Sequence, residues 1–326
     1  MTTLSEAYLS SAAKGHLRPL DIGHDLLAVA DLVELCFADS LDPDGKDYLQ
    51  QMREAARSSH LLRWANTYGE YGSMTLGGYV WEEAGGIIGN VSLVPFNSLG
   101  KRYFLIANVA VHPNFRGRGI GQALTAAALR YCRSRRVTAA WLQVREDNPI
   151  AIHIYKALGF SERLRRTTWL TSAEPRETPN GNGLTIGPRR SQHWLVQRSW
   201  LERIYPREMS WHLPVDWMAL RPDLVGSVYR FFAFEYPKSW VVQRGNRLLG
   251  ALTWKSTHTY ADPLWLASPQ TIEEEAIHAL LVYARRQISR RRPLALNYPA
   301  GVASEAIRAA GFYPQQTLVW MENLFD

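Results

Sequence analysis

At 326 residues the chain has room for two domains of roughly 150 residues each. A hydrophobic content of 46% with 21% charged residues suits a globular protein with a real core and excludes a disordered chain, and no apolar run approaches the length of a membrane span. The formal net charge of +7 comes mostly from arginine, 31 residues against 6 lysines, and suits an anionic ligand.

Residues 1–15 are small and polar and read as a flexible N-terminus. They lack the apolar core of a signal peptide, so the expected compartment is the cytoplasm. From His24 to Ser59, Leu26, Val29, Leu32, Val33 and Cys36 recur at helical spacing, and two helices are predicted there. Gly78–Trp81 and Ile87–Val94 form a predicted hairpin turning at Gly85-Gly86, with Glu82 and Glu83 as charges at its tip. Leu105–Val111 reads as a strand, and an Ala/Leu-rich helix is predicted from Ile120 to Arg135. Trp141–Val144 reads as another strand. A second helix opens at Asn148-Pro149, carries Tyr155 and ends at the terminating Gly159 before Phe160. Cys36 and Cys132 both fall in predicted helices and read as buried, reduced thiols. No Cys/His cluster has metal spacing, and no metal is expected.

Between the Leu105–Val111 strand and the next helix lies His112-Pro113-Asn114-Phe115-Arg116-Gly117-Arg118-Gly119-Ile120-Gly121. A strand, a glycine-rich turn and a helix start make a site for a phosphate-bearing ligand. The glycines let the backbone approach, and the free N–H groups of the first helical turn point at the anion. The triphosphate loop G-x-x-x-x-G-K-[ST] does not occur. The dinucleotide pattern G-x-G-x-x-G fails in register, because position 122 is Gln. What remains is R-x-x-G-x-G at Arg116, Gly119 and Gly121.

Arg116-x-x-Gly119-x-Gly121, followed by Asn148-x-x-Ala151-x-x-x-Tyr155-x-x-x-Gly159-Phe160, resembles the GNAT superfamily of acyl-CoA-dependent N-acyltransferases over roughly residues 16–170. The resemblance implies that backbone amides from Gly117 through Gly119 and Ile120 to Gly121 hold the pyrophosphate of acetyl-CoA, with Arg116 and Arg118 adding charge. It implies that the pantetheine arm pairs with backbone around Val109 and Val111, as a peptide adds to a strand edge. Asn148 matches a cofactor-contacting position and is equally a good helix N-cap. Tyr155 matches the family's general acid, which protonates the leaving thiolate; its alternative is a packing tyrosine.

The general base does not carry over. A primary alkylamine has a pKa of about 10.4, so neutralising it at pH 7 costs roughly 4–5 kcal/mol. Yet Tyr103–Phe115 contains no Asp or Glu. Glu146 and Asp147 lie nearer the expected chemistry. A water chain or an acceptor of low pKa serves as well.

Arginine runs at Arg133, Arg135 and Arg136, at Arg163, Arg165 and Arg166, and at Arg290, Arg291 and Arg292 read as solvated element ends. No nucleic-acid motif accompanies them, and nucleic acid is not an expected partner. Residues 171–183, rich in Pro, Gly and Asn, read as a linker. Beyond it the first half is echoed. Leu248-Leu249-Gly250-Ala251-Leu252-Thr253 repeats Ile87-Ile88-Gly89-Asn90-Val91-Ser92. A gapless offset of 152 pairs Ile120 with Ile272, Leu129 with Leu281, Tyr131 with Tyr283, Arg133 with Arg285, Leu142 with Leu294, and Gly159-Phe160 with Gly311-Phe312. The chemistry is not repeated. Ile272-Glu273-Glu274-Glu275 stands where Ile120-Gly121-Gln122-Ala123 stood, Ala300 replaces Asn148, and Ile307 replaces Tyr155. Eight of the twelve tryptophans lie in this half, as core or as the wall of an acceptor cleft.

The expected protein is therefore α/β, a tandem of GNAT-like folds. Each is a mixed, largely antiparallel sheet flanked by helices, with parallel pairing at a splay. A catalytic domain (16–170) binds acetyl-CoA as co-substrate, a linker follows (171–183), and a degenerate domain (184–326) has no CoA site. The expected function is N-acetyl transfer by direct attack of a primary amine, on a small molecule or a peptide, in a ternary complex. The alternative is a non-catalytic acyl-CoA sensor or regulatory protein. No membrane partner is expected.

Overall fold

A computed structural model describes residues 15–57, 77–98, 100–171, 183–210, 212, 214–233, 236–288 and 292–325. The expected flexible N-terminus, nearly all of the expected linker, Trp211, Arg290 and Arg291 lie outside the described residues. The structure is mixed α/β and divides into two compact units, Met1–Arg163 with Trp320–Asp326, and Leu164–Val319.

In the first unit, α1 (Ile22–Phe37) and α2 (Pro43–Arg57) are the two helices expected between His24 and Ser59. Asp21 caps α1 by accepting from Gly23 N at 2.9 Å. The helices bury Leu26, Val29, Val33, Leu49 and Met52 in a shared core with Val80. The sheet runs β1 (His16–Pro19), β2 (Gly77–Glu83), β3 (Gly86–Ser98), β4 (Lys101–Val111), β5 (Ala139–Arg145). All neighbours are antiparallel except β4 and β5. The β2–β3 turn places Ala84 and Gly85 at φ 51° and 76°, the mirror-image turn that matches strand twist.

Two helices follow the glycine loop, α3 (Ile120–Ser134) and α4 (Pro149–Ala157). α3 lies on β3 and β4 and buries Ile120, Leu124, Ala127, Ala128 and Cys132. Gly89 permits that approach. A Cβ there would sit 2.9 Å from Leu124 Cδ1, 3.0 Å from Ile120 Cγ2 and 3.1 Å from Trp81 Cβ.

The second unit repeats the order of elements. It takes β6 (Ser161–Thr171) from Leu164 onward, then β7 (Leu184–Pro188), α5 (Trp194–Ile204), α6 (Trp217–Leu220) and α7 (Leu224–Ala233). The hairpin β8 (Lys238–Arg244) and β9 (Arg247–Trp254) leads to β10 (Asp262–Ala267), α8 (Glu274–Gln287), β11 (Leu294–Pro299), α9 (Ser304–Ala309) and β12 (Phe312–Leu324). Its sheet runs β7-β8-β9-β10-β11-β6, with parallel pairing at β10–β11. Gly250 mirrors Gly89, since its Cβ would meet Ile277 Cδ1 at 3.1 Å. The echo between the two hairpin sequences thus has a packing cause: a helix presses on the same strand position in both units.

Each unit takes its last strand from the other half of the sequence. Thr167 to Leu170 pair with Tyr298 to Ala295 in the second unit. Trp320–Asp326 belong to the first, where Asn323 Nδ2 donates to Leu158 O at 2.9 Å and Phe325 N to Thr138 O at 3.1 Å. The tryptophans of the second unit answer the core alternative. Trp194, Trp240, Trp254 and Trp265 are core members, with Trp200 and Trp217 packed against them. Both cysteines are free, and burial pushes the Cys132 thiol up to about 12. Among the described residues no helix is long and apolar enough to cross a membrane.

Candidate active site

The site begins where two parallel strands part. β4 and β5 pair from Tyr103 with Ala139 to Ile106 with Leu142, while β4 runs on to Val111 and β5 to Arg145. A bulge helps β4 leave. Asn90 opposes Ala110 and Ser92 opposes Ala107, so Asn108 and Val109 together face one residue of β3, and Asn108 takes φ 50°. Asn90 Nδ2 holds the bulge by donating to Asn108 O at 3.0 Å. Beyond it, His112 N donates to Ile88 O at 2.9 Å. Strand residues alternate, so the N–H and C=O of Val111 point the other way, into the splay. Val109, half-buried, precedes it by one pleat.

The loop then turns into α3. Gly117 and Gly119 both take φ 76°, and Gly119 is the N-cap of α3. A Cβ at either would meet no heavy atom within 4 Å. Glycine is therefore demanded by backbone conformation, and the space in front of the turn is open. The first intrahelical bond is Ala123 N to Gly119 O at 3.0 Å, which leaves the amides of Ile120, Gly121 and Gln122 facing outward at the positive end of the helix dipole. A Cβ on Gly121 would stand 3.7 Å from Val111 Cγ2, so the helix start lies directly beside the end of β4. Orphan amides, an open cradle and no carboxylate on the loop itself fit a pyrophosphate.

The two loop arginines have separate fates. Arg116 Nε donates to Val111 O at 3.2 Å, and Cys36 Sγ on α1 donates to the same carbonyl at 3.4 Å. Arg116 thus lies across the mouth of the splay. Arg118 makes a bidentate pair with Glu83, at 3.0 and 2.8 Å, with its guanidinium 5.3 Å from the Phe115 ring centroid. Glu83 is more than a solvated tip charge, since it ties the loop to the β2–β3 hairpin. Glu82 is likewise engaged, by Arg18 at 2.7 Å.

Asn148 is the N-cap of α4 and accepts from Ala151 N at 3.0 Å, with Pro149 at the first helical position. Its capping role is therefore present. Tyr155 sits on α4, 7% exposed, with its ring edge-on to Phe160 at 6.0 Å. Burial pushes its phenol up to about 12, so it is protonated at neutral pH. Of the two carboxylates near the end of β5, Asp147 is held by Arg145 at 2.6 Å, which keeps its pKa below the usual carboxylate range and makes it a weak base. Glu146 is exposed.

The second unit has the same splay with different contents. β10 and β11 pair from Asp262 with Leu294 to Leu264 with Leu296 and then part. Tyr205 fills the gap: its hydroxyl accepts from Leu266 N at 3.3 Å and donates to Asn297 O at 3.1 Å. Arg166 joins it, with Nη2 on Asn297 O at 2.9 Å, Nε on Asn297 Oδ1 at 2.5 Å and Nη1 on Ile204 O at 2.8 Å. Arg166 is 2% exposed, which corrects the reading of its run as solvated. At the start of α8, Glu273 is the N-cap, with Glu274 and Glu275 in the first turn, and Arg244 Nη1 reaches Glu273 Oε2 at 2.5 Å. Glu83 and Arg244 are each the last residue of the first hairpin strand in their unit. The hairpin-to-loop bridge is thus kept with its charges reversed.

Residues 38–160 match the model of the acetyltransferase (GNAT) family. The segment is 40% identical over 78 residues to mycothiol acetyltransferase of Tsukamurella paurometabola, covering 24% of this chain and 25% of that protein. It is 36% identical over 70 residues to the ribosomal protein bS18-alanine N-acetyltransferase of Escherichia coli K12, covering 22% of this chain and 47% of that one. The matched segments thus span between a quarter and a half of those relatives. Over 95% of both chains, the fold is similar to a GCN5-related N-acetyltransferase from Sphaerobacter thermophilus, with a TM-score of 0.55 at 16% identity. Residues 38–160, in the first half, thus match the GNAT acetyltransferase family, and the likeness over the whole chain is one of fold.

Proposed function

We propose that the chain is an N-acetyltransferase with a single site in its first unit, moving acetyl from acetyl-CoA to a primary amine. The observation that carries this reading is the adjacency of the orphan amides at the start of α3 to the splay-facing backbone of Val111, whose carbonyl Arg116 and Cys36 cover. One ligand with a pyrophosphate and a peptide-like arm satisfies both. Gly117, Gly119, Ile120 and Gly121 hold the pyrophosphate through backbone N–H groups, with Arg116 beside them. Val109 and Val111 receive the arm, for which Arg116 releases the Val111 carbonyl. Arg118, neutralised by Glu83, positions the loop. Asn148 orients α4 as its cap.

Acetyl-CoA, when bound, supplies the thioester carbonyl that the amine attacks. The C–S bond breaks as the C–N bond forms, and the Tyr155 phenol donates its proton to the departing sulfur. The amine loses its proton to water: β4 and the glycine loop carry no carboxylate, and Asp147 is tied to Arg145. The acceptor is an amine on a small molecule or a peptide. Of the two relatives, one acetylates mycothiol and the other the alanine of ribosomal protein bS18.

Release of free thiol from acetyl-CoA, measured against a panel of amines and peptide N-termini, tests the reading. Amine-dependent release supports it. The missing carboxylate favours a second reading, a sensor that binds acyl-CoA without turning it over. Tight binding with no release on any acceptor establishes the sensor, and failure to bind CoA removes both.

A further inference from the structure

The positive charge of the first unit gathers at the end away from the loop. From Ala84 to Arg145 the sequence has no Asp or Glu. At the start of β4 and the end of α3 a groove of about 760 Å³ opens, lined by Lys101, Arg133, Arg136, Val137, Thr138, Leu324 and Phe325. That is the size of a small-molecule site. It does not coincide with the glycine loop. α3 is 15 residues long, so about 22 Å separates its two ends and a pyrophosphate on the loop cannot reach the groove.

The basic residues there divide by what they touch. Arg102 donates to the end carbonyl of α3, on Arg135, at 3.4 Å, and Arg135 lies over the Tyr131 ring at 5.0 Å. These two serve the fold. Arg133 lies over the Phe325 ring at 5.4 Å, with its charge exposed at the groove. Lys101 and Arg136 are exposed, and among the described residues neither has an acidic partner. Arg136 also breaks a local rule. It follows the C-cap of α3 at φ 51°, a left-handed position that helix ends ordinarily give to glycine. A long cationic side chain is held there against the preference of its backbone, at the edge of the groove.

We propose that this groove is a second anion site, for a phosphorylated small molecule carrying at least two negative charges. Lys101 and Arg136 bind the phosphates, and the half-buried Phe325 and the exposed Leu324 support the rest of the ligand. A groove of this volume fits a small ligand rather than a nucleic-acid strand.

Calorimetry of the full chain saturated with CoA, titrated with inorganic pyrophosphate, tests this independently of the proposed reaction. One equivalent should bind, and Arg136→Gly should weaken it at least tenfold. Because glycine suits the left-handed position, that variant should melt no lower than the parent, so its loss cannot come from unfolding. Lys101→Ala should weaken pyrophosphate similarly and leave CoA affinity unchanged. No binding to the CoA-saturated chain overturns the proposal, and so does equal affinity in Arg136→Gly. An RNA oligomer that binds and loses affinity in these variants, where pyrophosphate does not bind at all, also overturns it and assigns the surface to nucleic acid.

Discussion

At the scale of single residues the proposed chemistry turns on which groups hold protons. Tyr155→Phe should cut turnover by roughly 100-fold, the contribution of a positioned general acid, with KM for acetyl-CoA nearly unchanged. Steady-state kinetics at saturating acceptor decide this, and unchanged turnover removes Tyr155 from the mechanism. The pH profile carries a second, independent prediction. Raised to about 12 by burial, the phenol loses its proton only as pH rises through that value, so Tyr155 imposes no descending limb below about pH 10. Asp147, held low by Arg145, accepts no proton near neutrality. The rate should therefore climb tenfold per pH unit from 7 toward the acceptor's own pKa, about 10.4 for an alkylamine. A plateau near pH 8 with such an acceptor would show an enzymic base. The helix that starts at Asn148 and carries Tyr155 was legible because its cap and spacing are local. The partners of Arg118 and Arg166 were not. Glu83 is 35 positions from Arg118 and Asn297 is 131 from Arg166, and an arginine run looks the same in sequence whether solvated or buried.

At the scale of elements, helix start and strand end act as one device, and two glycines set it in different ways. Gly119 is needed for its conformation. Gly119→Ala forces an alanine to φ 76°, costing about 1–2 kcal/mol at the N-cap. CoA affinity should fall roughly 10-fold because the amides turn away. Gly89 is needed for its size. Gly89→Ala drives a methyl group into Leu124, Ile120 and Trp81, an overpacking cost of about 1–3 kcal/mol. Thermal melting and CoA titration separate the two. Gly119→Ala should lose more binding than stability, and Gly89→Ala should lose both. Equal effects would mean that the loop tolerates a shift of α3. The hairpin, strand, loop and helix were all visible beforehand, because period and turn chemistry determine each within a few residues. The bulge at Asn108 was hidden, since nothing in Leu105–Val111 distinguishes a straight strand from one that leaves its neighbour.

At the scale of the molecule, the two units hold the same splay, open in the first and filled by Tyr205 in the second. The loss of the loop glycines, replaced by Pro269, Thr271 and Glu273, was plain in the repeat offset, and the structure adds that Glu273 is bound by Arg244 in place of an anion. The filling by Tyr205 and Arg166 has no counterpart in that offset, and the exchange of end strands leaves no trace in a two-residue period that suits either sheet. The second unit is thus closed twice, by charge at its loop and by side chains in its splay, and the two closures can be tested apart. Tyr205→Phe deletes the hydroxyl that joins Leu266 N to Asn297 O and leaves both groups buried without it, at a cost of about 1–3 kcal/mol. For a unit of this size that lowers the melting temperature by roughly 2–10 °C. Binding should not respond, and calorimetry should give one CoA per chain in the parent and the variant alike. The carboxylates at the start of α8 still repel a pyrophosphate when the splay is loosened. A stoichiometry of two in Tyr205→Phe would show that the tyrosine alone closes the second site, and would make the glutamates incidental.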